Sequence, residues 1–297
     1  MWDIASAIVK WGNYLSMAMV IGGGFAFALM SQLEAKLKAA TLQFIFAGCV
    51  LGTGTTILFF ILQVGGINQQ GLRGAFDLSM IRVIYQSDIG LQAGMRLPSF
   101  IFSFVLFWQL KKQLTHNPKH SLGRALPLEL YLPITLVLAA SFAVVGHVSQ
   151  LGIIARLAIV FHVISALLWI GALYPLYLAC ASGYGNKVAG IMKVFGKYGV
   201  YFVSVLVLTG IFLLLQLLGS VSEFVTTNYG NAVLLKLGAV ASLLVLAAIN
   251  KFQLSPEFEK NDTRLKLRNS IQLEIIFAAA IIAITAYFTT VIGIVHN

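Results

Sequence analysis

Charged side chains are scarce in this sequence. They make up 10% of its 297 residues, whereas soluble domains carry about 25%. Hydrophobic residues make up 59%, and they lie in repeated runs of about twenty residues, the length that crosses a hydrocarbon core about 30 Å thick. This pattern excludes a soluble catalytic domain. The first run also lacks a basic n-region and a small-residue cleavage site, so we expect no removable signal peptide.

The apolar runs predict an all-α, polytopic membrane protein with eight transmembrane helices. We place the helices at residues 4–30, 41–63, 91–110, 129–149, 153–180, 194–218, 231–250 and 271–293. Cysteine is also scarce, and Cys49 and Cys180 are too few and too far apart to indicate a disulfide framework.

The basic residues are distributed unevenly between the loops. Fourteen of the twenty lie in or beside loops 31–40, 111–128, 181–193 and 251–269, whereas the opposite loops 64–90, 150–152 and 219–230 contain only Arg73 and Arg82. The positive-inside rule therefore predicts that the first set of loops is cytoplasmic and that both termini lie on the outer side of the membrane. The net charge of +10 follows from this topology, and we expect no nucleic-acid partner.

The sequence also repeats itself weakly, in order, across its two halves. "NYLSMAMVIGG" from Asn13 aligns with "HVISALLWIGA" from His162, and Arg96 and Glu129 align with Lys236 and Glu274. Each half holds four spans, so both halves enter the membrane in the same direction. We therefore predict two parallel four-helix repeats, residues 1–149 and 150–297, with a shared interior between them.

Two histidines interrupt apolar spans in the second half of this pattern. His147 and His162 have no histidine at their repeat partners, and ionisable groups inside a membrane are candidates for function. Neutral imidazoles suit copper or zinc, and the thioether of Met17 would suit Cu(I). The sequence predicts a metal site of His147, His162 and Met17, although hydrogen bonding and packing would also account for the rings. The two histidines differ in depth by about 10 Å at helical rise.

Four further residues are candidates for a cavity or a relay. Trp169 shares a helix face with His162. Arg96 and Lys236 either extend to the outer interface or line an outward cavity, paired with Asp88 or with an anionic group. Glu274 either forms an inner salt bridge with Arg268 or serves as a cation exit or proton relay.

Several motifs of the second half resemble those of the copper resistance protein D family. They are "SFAVVGHVSQLG", "LAIVFHVISALLWIGALYPLYL", "VSVLVLTGI", "TTNYGNAVLLKLGAV", "AAINKFQLSP" and "LRNSIQLE", in order between residues 141 and 274. The resemblance implies an inner-membrane protein that moves copper ions between periplasm and cytoplasm. Its implied partners are copper ions, membrane lipid and a periplasmic copper-binding protein. The positions that match are His147, His162, Trp169, Lys236, Asn250, Arg268 and Glu274.

A second function class stays open beside copper transport. A membrane cytochrome could hold haem b on a histidine, with Arg96 and Lys236 binding the propionates. The depth offset of His147 and His162 disfavours one haem held between both rings. No G-x4-G-K-[ST] motif is present in the sequence, and we expect no enzymatic activity. An absorption spectrum would separate the two classes.

Overall fold

The computed structural model describes residues 1–30, 33, 35–116, 128–182, 185–217, 228–258 and 261–292. The described residues form ten α-helices and contain no β-strand. The helices are α1 (Trp2–Leu29), α2 (Ala35–Asn68), α3 (Gly71–Gly74), α4 (Leu78–Tyr85), α5 (Asp88–His116), α6 (Leu128–Ala140), α7 (Ile153–Ala181), α8 (Gly185–Leu217), α9 (Asn228–Ile249) and α10 (Asn261–Tyr287). The predicted all-helical class is confirmed.

Seven of these helices are long and apolar enough to cross a membrane: α1, α2, α5, α7, α8, α9 and α10. The eighth predicted span is different. We placed it at residues 129–149, whereas α6 ends at Ala140 and has 13 residues. At 1.5 Å per residue, α6 is about 20 Å long. Within the described residues there are therefore seven helices of membrane-crossing length, and the predicted count of eight is not confirmed.

Contacts along α6 give its direction. Near its start, the Tyr131 ring lies 6.5 Å from Phe107 of α5, and at its end Ser141 bonds to Arg96, nearer the start of α5. The two helices are therefore antiparallel. The chain then continues through residues 141–146 and a 3-10 turn, His147–Gln150, before α7 begins. We call outer the side at which α5 begins and α6 ends, and inner the opposite side.

The loop predicted at residues 64–90 contains two short helices, α3 and α4. Asp77 caps α4, because one of its carboxylate oxygens accepts hydrogen bonds from the backbone N–H of Ser79 at 2.9 Å and of Met80 at 3.0 Å. The Ser79 hydroxyl donates to the same oxygen, and these bonds hold the pKa of Asp77 below its ordinary value. Apolar side chains of α4 such as Leu78 and Tyr85 are exposed.

The two halves of the chain meet where α1 crosses α7. A Cβ built on Gly171 would lie 1.7 Å from the carbonyl oxygen of Ala18 and 2.8 Å from the Cα of Gly22. Only glycine allows this close approach of two backbones. The sequence alignment pairs Gly22 with Gly171, so equivalent residues meet at the crossing, as a parallel repeat would require at its axis. The division into two repeats stays a prediction.

Candidate functional site

A buried polar layer lies in the outer part of the first half, centred on Asn13 of α1. Asn13 is 1% exposed. Its amide nitrogen donates to the hydroxyls of Thr55 at 3.0 Å and Thr56 at 2.8 Å on α2. Its amide oxygen accepts a hydrogen bond of 3.0 Å from Nη1 of Arg96. Asn13 therefore joins α1 to both α2 and α5.

Arg96 occupies the end of α6, where the helix stops short. Its Nε donates to the Ser141 hydroxyl at 2.8 Å, and its guanidinium lies 5.0 Å from the Phe142 ring. Gln92, one turn earlier on α5, donates to the Ser141 carbonyl at 2.9 Å. The positive charge of Arg96 also interacts favourably with the dipole of α6, whose C-terminus is its negative end. Arg96 and Gln92 thus satisfy backbone and side-chain acceptors that the end of α6 leaves free.

This placement contradicts the extension of Arg96 to the outer interface and shows no pairing of Arg96 with Asp88 among the described residues. The residue is 3% exposed and does not extend to the outer interface. Its hydrogen bonds go to Asn13 and Ser141, whereas Asp88 is exposed at the start of α5. One guanidinium nitrogen, Nη2, is buried without a hydrogen-bond partner among the described residues. A void of about 10 Å³ beside it has room for about one water molecule.

His162 lies at the corresponding place in the second half, between α7 and α8. Its Nδ1 is 3.1 Å from the hydroxyl of Thr209, and the ring lies beside Gly210. The Thr209 hydroxyl already donates to the Val205 carbonyl at 2.5 Å. Because a hydroxyl carries only one hydrogen, Thr209 accepts from His162 when that hydrogen is directed to the Val205 carbonyl.

The hydrogen bond to Thr209 fixes the tautomer of His162. Nδ1 carries the proton, and Nε2 keeps its lone pair in the neutral ring. The ring also lies near the backbone carbonyl of Leu206. Metal-binding histidines have this arrangement, in which the second ring nitrogen donates to an oxygen while the first binds the ion.

Lys236 of α9 lies near this ring, as Arg96 lies near Asn13. Its ammonium interacts electrostatically with His162 and lies 5.7 Å from the centre of the Phe288 ring. Phe288 begins a π-helical turn, Phe288–Ile292, directly after α10. In both halves, therefore, a cation lies over an aromatic ring where the fourth helix departs from regular α-helix.

The remaining residues of the predicted metal site are not brought together by the described contacts. His147 begins the 3-10 turn, and its side chain lies outside the described residues. Met17 is fully buried in an apolar cluster with Ile21, Ile45 and Phe100. No group of three or more His, Cys, Asp or Glu side chains within the described ranges is arranged to hold a metal ion.

A second candidate site lies in the inner part of the second half. A cavity of about 270 Å³ there is lined by α7, α8, α9 and α10, and Trp169, Asn250 and Glu274 are on its wall. Glu274 is 3% exposed and accepts a hydrogen bond of 2.5 Å from the Asn250 side chain. The salt bridge expected between Glu274 and Arg268 is wrong, because the Arg268 guanidinium donates to the Tyr177 hydroxyl at 2.9 Å.

Comparison with protein families finds a match within the second half of the chain. Residues 189–288 match the family model described as Copper resistance protein D. This part of the chain is similar to that family. The match contains Thr209, Lys236, Asn250 and Glu274, whereas His147, His162 and Trp169 precede it. No curated protein matches the chain, and no solved structure matches it.

The family match confirms the resemblance drawn from the sequence motifs. Seven helices of membrane-crossing length are consistent with a multi-pass membrane protein, and the matched family is one of copper resistance. Copper handling, rather than haem binding, is the function that the family indicates.

Proposed function

We propose that this copper resistance protein carries copper ions across the inner membrane, between periplasm and cytoplasm, and that His162 is a copper ligand in its outer half. The observation that supports the proposal most is the 3.1 Å contact between Nδ1 of His162 and the Thr209 hydroxyl. Thr209 takes the proton of Nδ1, so Nε2 offers a lone pair inside the bundle. Imidazole nitrogen is a common copper ligand.

His147 and Met17 are further ligands in this proposal. His147 lies in the irregular segment between α6 and α7, and α7 carries His162. Met17 lies on α1, which packs against α7 and shares an apolar cluster with Val163. A carrier must bind its ion weakly enough to release it. The positive charge of Lys236 near His162 would weaken copper binding in this way.

The proposal is tested by replacing the histidine. In His162→Ala, copper that copurifies with the protein in mild detergent should fall by about tenfold or more, because a ligand is lost, and copper-dependent growth should fail. The matched control is His120→Ala in a basic loop, which should retain both. Normal copper content and growth in the double variant His147→Ala, His162→Ala would refute the site.

The orientation of the chain belongs to the same proposal. Both termini face the periplasm and the basic loops face the cytoplasm, because the basic residues are concentrated on one side. Alkaline phosphatase fused after Asn297 should be active. An inactive fusion, with fluorescence from a green fluorescent protein at the same point, would reverse the orientation.

Transport in this proposal involves no covalent chemistry, and we infer no enzymatic activity. A periplasmic copper-binding protein would deliver or receive the ion at the outer side, where α4 exposes apolar side chains.

A further inference from the structure

The inner cavity contains a carboxylate whose charge has no partner. Apart from the bond to Asn250, no hydrogen bond or ion pair reaches the carboxyl group of Glu274 within the described chain. Lys251 lines the same cavity, but its ammonium lies 5.1 Å from the centre of the Phe252 ring, and no ion pair joins it to Glu274 in that part of the chain. An ionised carboxylate that is buried in this way is costly unless a cation or a proton neutralises it.

Asn250 is the second unusual group in this cavity. Its side chain is 8% exposed, and its amide oxygen is buried without a hydrogen-bond partner among the described residues. Asn250 also begins a π-helical turn, Asn250–Leu254, at the end of α9, and such turns are frequent at functional sites. The amide nitrogen holds one oxygen of Glu274, so the free amide oxygen is available to a water molecule or a small cation.

From these contacts we infer that Glu274 and Asn250 form a proton-binding site that opens through this cavity toward the inner side. Glu274 takes up and releases the proton, and the Asn250 amide positions its carboxyl group. A sodium ion would need several more oxygen ligands than this mostly apolar wall provides. A proton needs only the carboxylate oxygen itself.

The surrounding charges are consistent with exchange toward the inner side. Lys251 is the other charged residue on the described cavity wall. The elements packed around Glu274 carry further titratable groups: Tyr177 and Cys180 on α7, Lys193 and Lys197 on α8, and Arg264 and Arg268 on α10. The inner part of α1, residues 15–29, carries none. The cations on the inner side would favour departure of a proton from the cavity over its retention.

The matched position in the first half lacks this site. Glu129 aligns with Glu274 in the repeat, yet it is exposed in the first turn of α6. The proton site therefore depends on the packing of the second half and not on the shared sequence pattern. Glu129→Gln is the natural control.

Labelling with dicyclohexylcarbodiimide tests the proton site directly, because this reagent reacts with protonated carboxyl groups in apolar surroundings. In the purified full-length protein, peptide mass spectrometry should find label on Glu274 and none on Glu129. Labelling of Glu274 should fall about tenfold per pH unit once the group ionises, and sodium ions at constant pH should not change it. Protection by sodium would overturn the proposal in favour of a sodium site, and absence of label, or label independent of pH, would also overturn it.

Coupling of this proton to copper rests on the proposed function and needs a separate measurement. In proteoliposomes with a trapped pH-sensitive dye, copper movement through the wild type should be accompanied by proton movement. Glu274→Gln should lose at least about nine-tenths of the copper-driven proton signal while retaining copper binding, and Glu129→Gln should retain both. Unchanged proton movement in Glu274→Gln would overturn the coupling. If the wild type moved no copper, the proposed function would fail while the labelling result still decided the proton site.

Discussion

Each half of the molecule contains a polar residue that contacts a threonine on the next helix and lies near a cation, but the contacts of the two groups differ. In the first half, Asn13 of α1 bonds to threonines of α2 and to Arg96, and these groups close the end of α6. In the second half, His162 of α7 bonds to Thr209 of α8 and lies near Lys236. The first network pairs its members by hydrogen bonds, apart from Nη2 of Arg96, whereas in the proposed function the second leaves the Nε2 lone pair of His162 for copper. In the proposed function, therefore, the first half supplies rigidity and the second half supplies the copper ligand.

The two halves also differ in the volume of their cavities. The void beside Arg96 has a volume of about 10 Å³, whereas the cavity beside Glu274 has a volume of about 270 Å³. Small water-filled voids support a structure, while larger cavities with a few polar groups are typical of binding sites. The second half is also the part that the copper resistance protein D family covers.

Replacing the cation of each half, Arg96 or Lys236, should give the largest difference in stability between the two halves. Arg96→Met leaves acceptors on Asn13 and Ser141 unsatisfied, so it should lower the free energy of unfolding by about 2–4 kcal/mol. Lys236→Met loses chiefly a contact with an aromatic ring and should lower it by about 1 kcal/mol or less. A thiol-reactive fluorophore can follow thermal unfolding, because Cys49 and Cys180 are buried. An equal or greater loss for Lys236→Met would contradict the structural role of Arg96.

Separating the halves at their crossing should have the next largest effect. In Gly171→Ala the new methyl group would overlap the Ala18 backbone, so α1 and α7 must move apart. We expect a loss of about 1–3 kcal/mol in the free energy of unfolding. Gly190→Ala on α8 is the control, since a Cβ there meets nothing within 4 Å. If both variants unfolded at the same temperature, the close crossing would be refuted.

The smallest expected effect comes from removing the hydrogen-bond partner of His162. Thr209→Val keeps the side-chain volume but removes the hydroxyl that accepts from Nδ1, so the ring loses its fixed tautomer. Copper affinity, measured by competition with a chromogenic chelator, should fall about tenfold. Thr55→Val makes the same change beside Asn13 and should leave copper affinity unchanged. A reduced affinity in Thr55→Val alone would place copper in the first half instead.

The sequence predicts most of the fold but not the end of α6. Seven helices could be predicted because length and hydropathy alone decide whether a run can cross a bilayer. The apolar run through residues 129–145 gave no local signal for a helix end at Ala140. That end depends on Gln92 and Arg96, which bond to Ser141 from a different helix.

The candidate site could be predicted from the sequence only in part. His162 could be selected as a polar exception in an apolar span, and Glu274 as a carboxylate near an inner face. The tautomer of His162 could not be predicted, because it depends on where Thr209 directs its own hydrogen. In the sequence, the triplet "LTG" at residues 208–210 is merely similar to "GTG" at residues 52–54. A threonine beside a glycine on the next helix is the signal that could have revealed this contact.

X-ray absorption at the copper edge tests the central claim, that the second half binds copper through His162. The purified full-length protein, loaded with copper and washed free of excess, should show the scattering pattern of an imidazole ring around the ion. His162→Asn places the residue of the first half at this position, and it should lose at least one imidazole from that pattern while remaining folded. An identical spectrum for the wild type and His162→Asn would contradict the account.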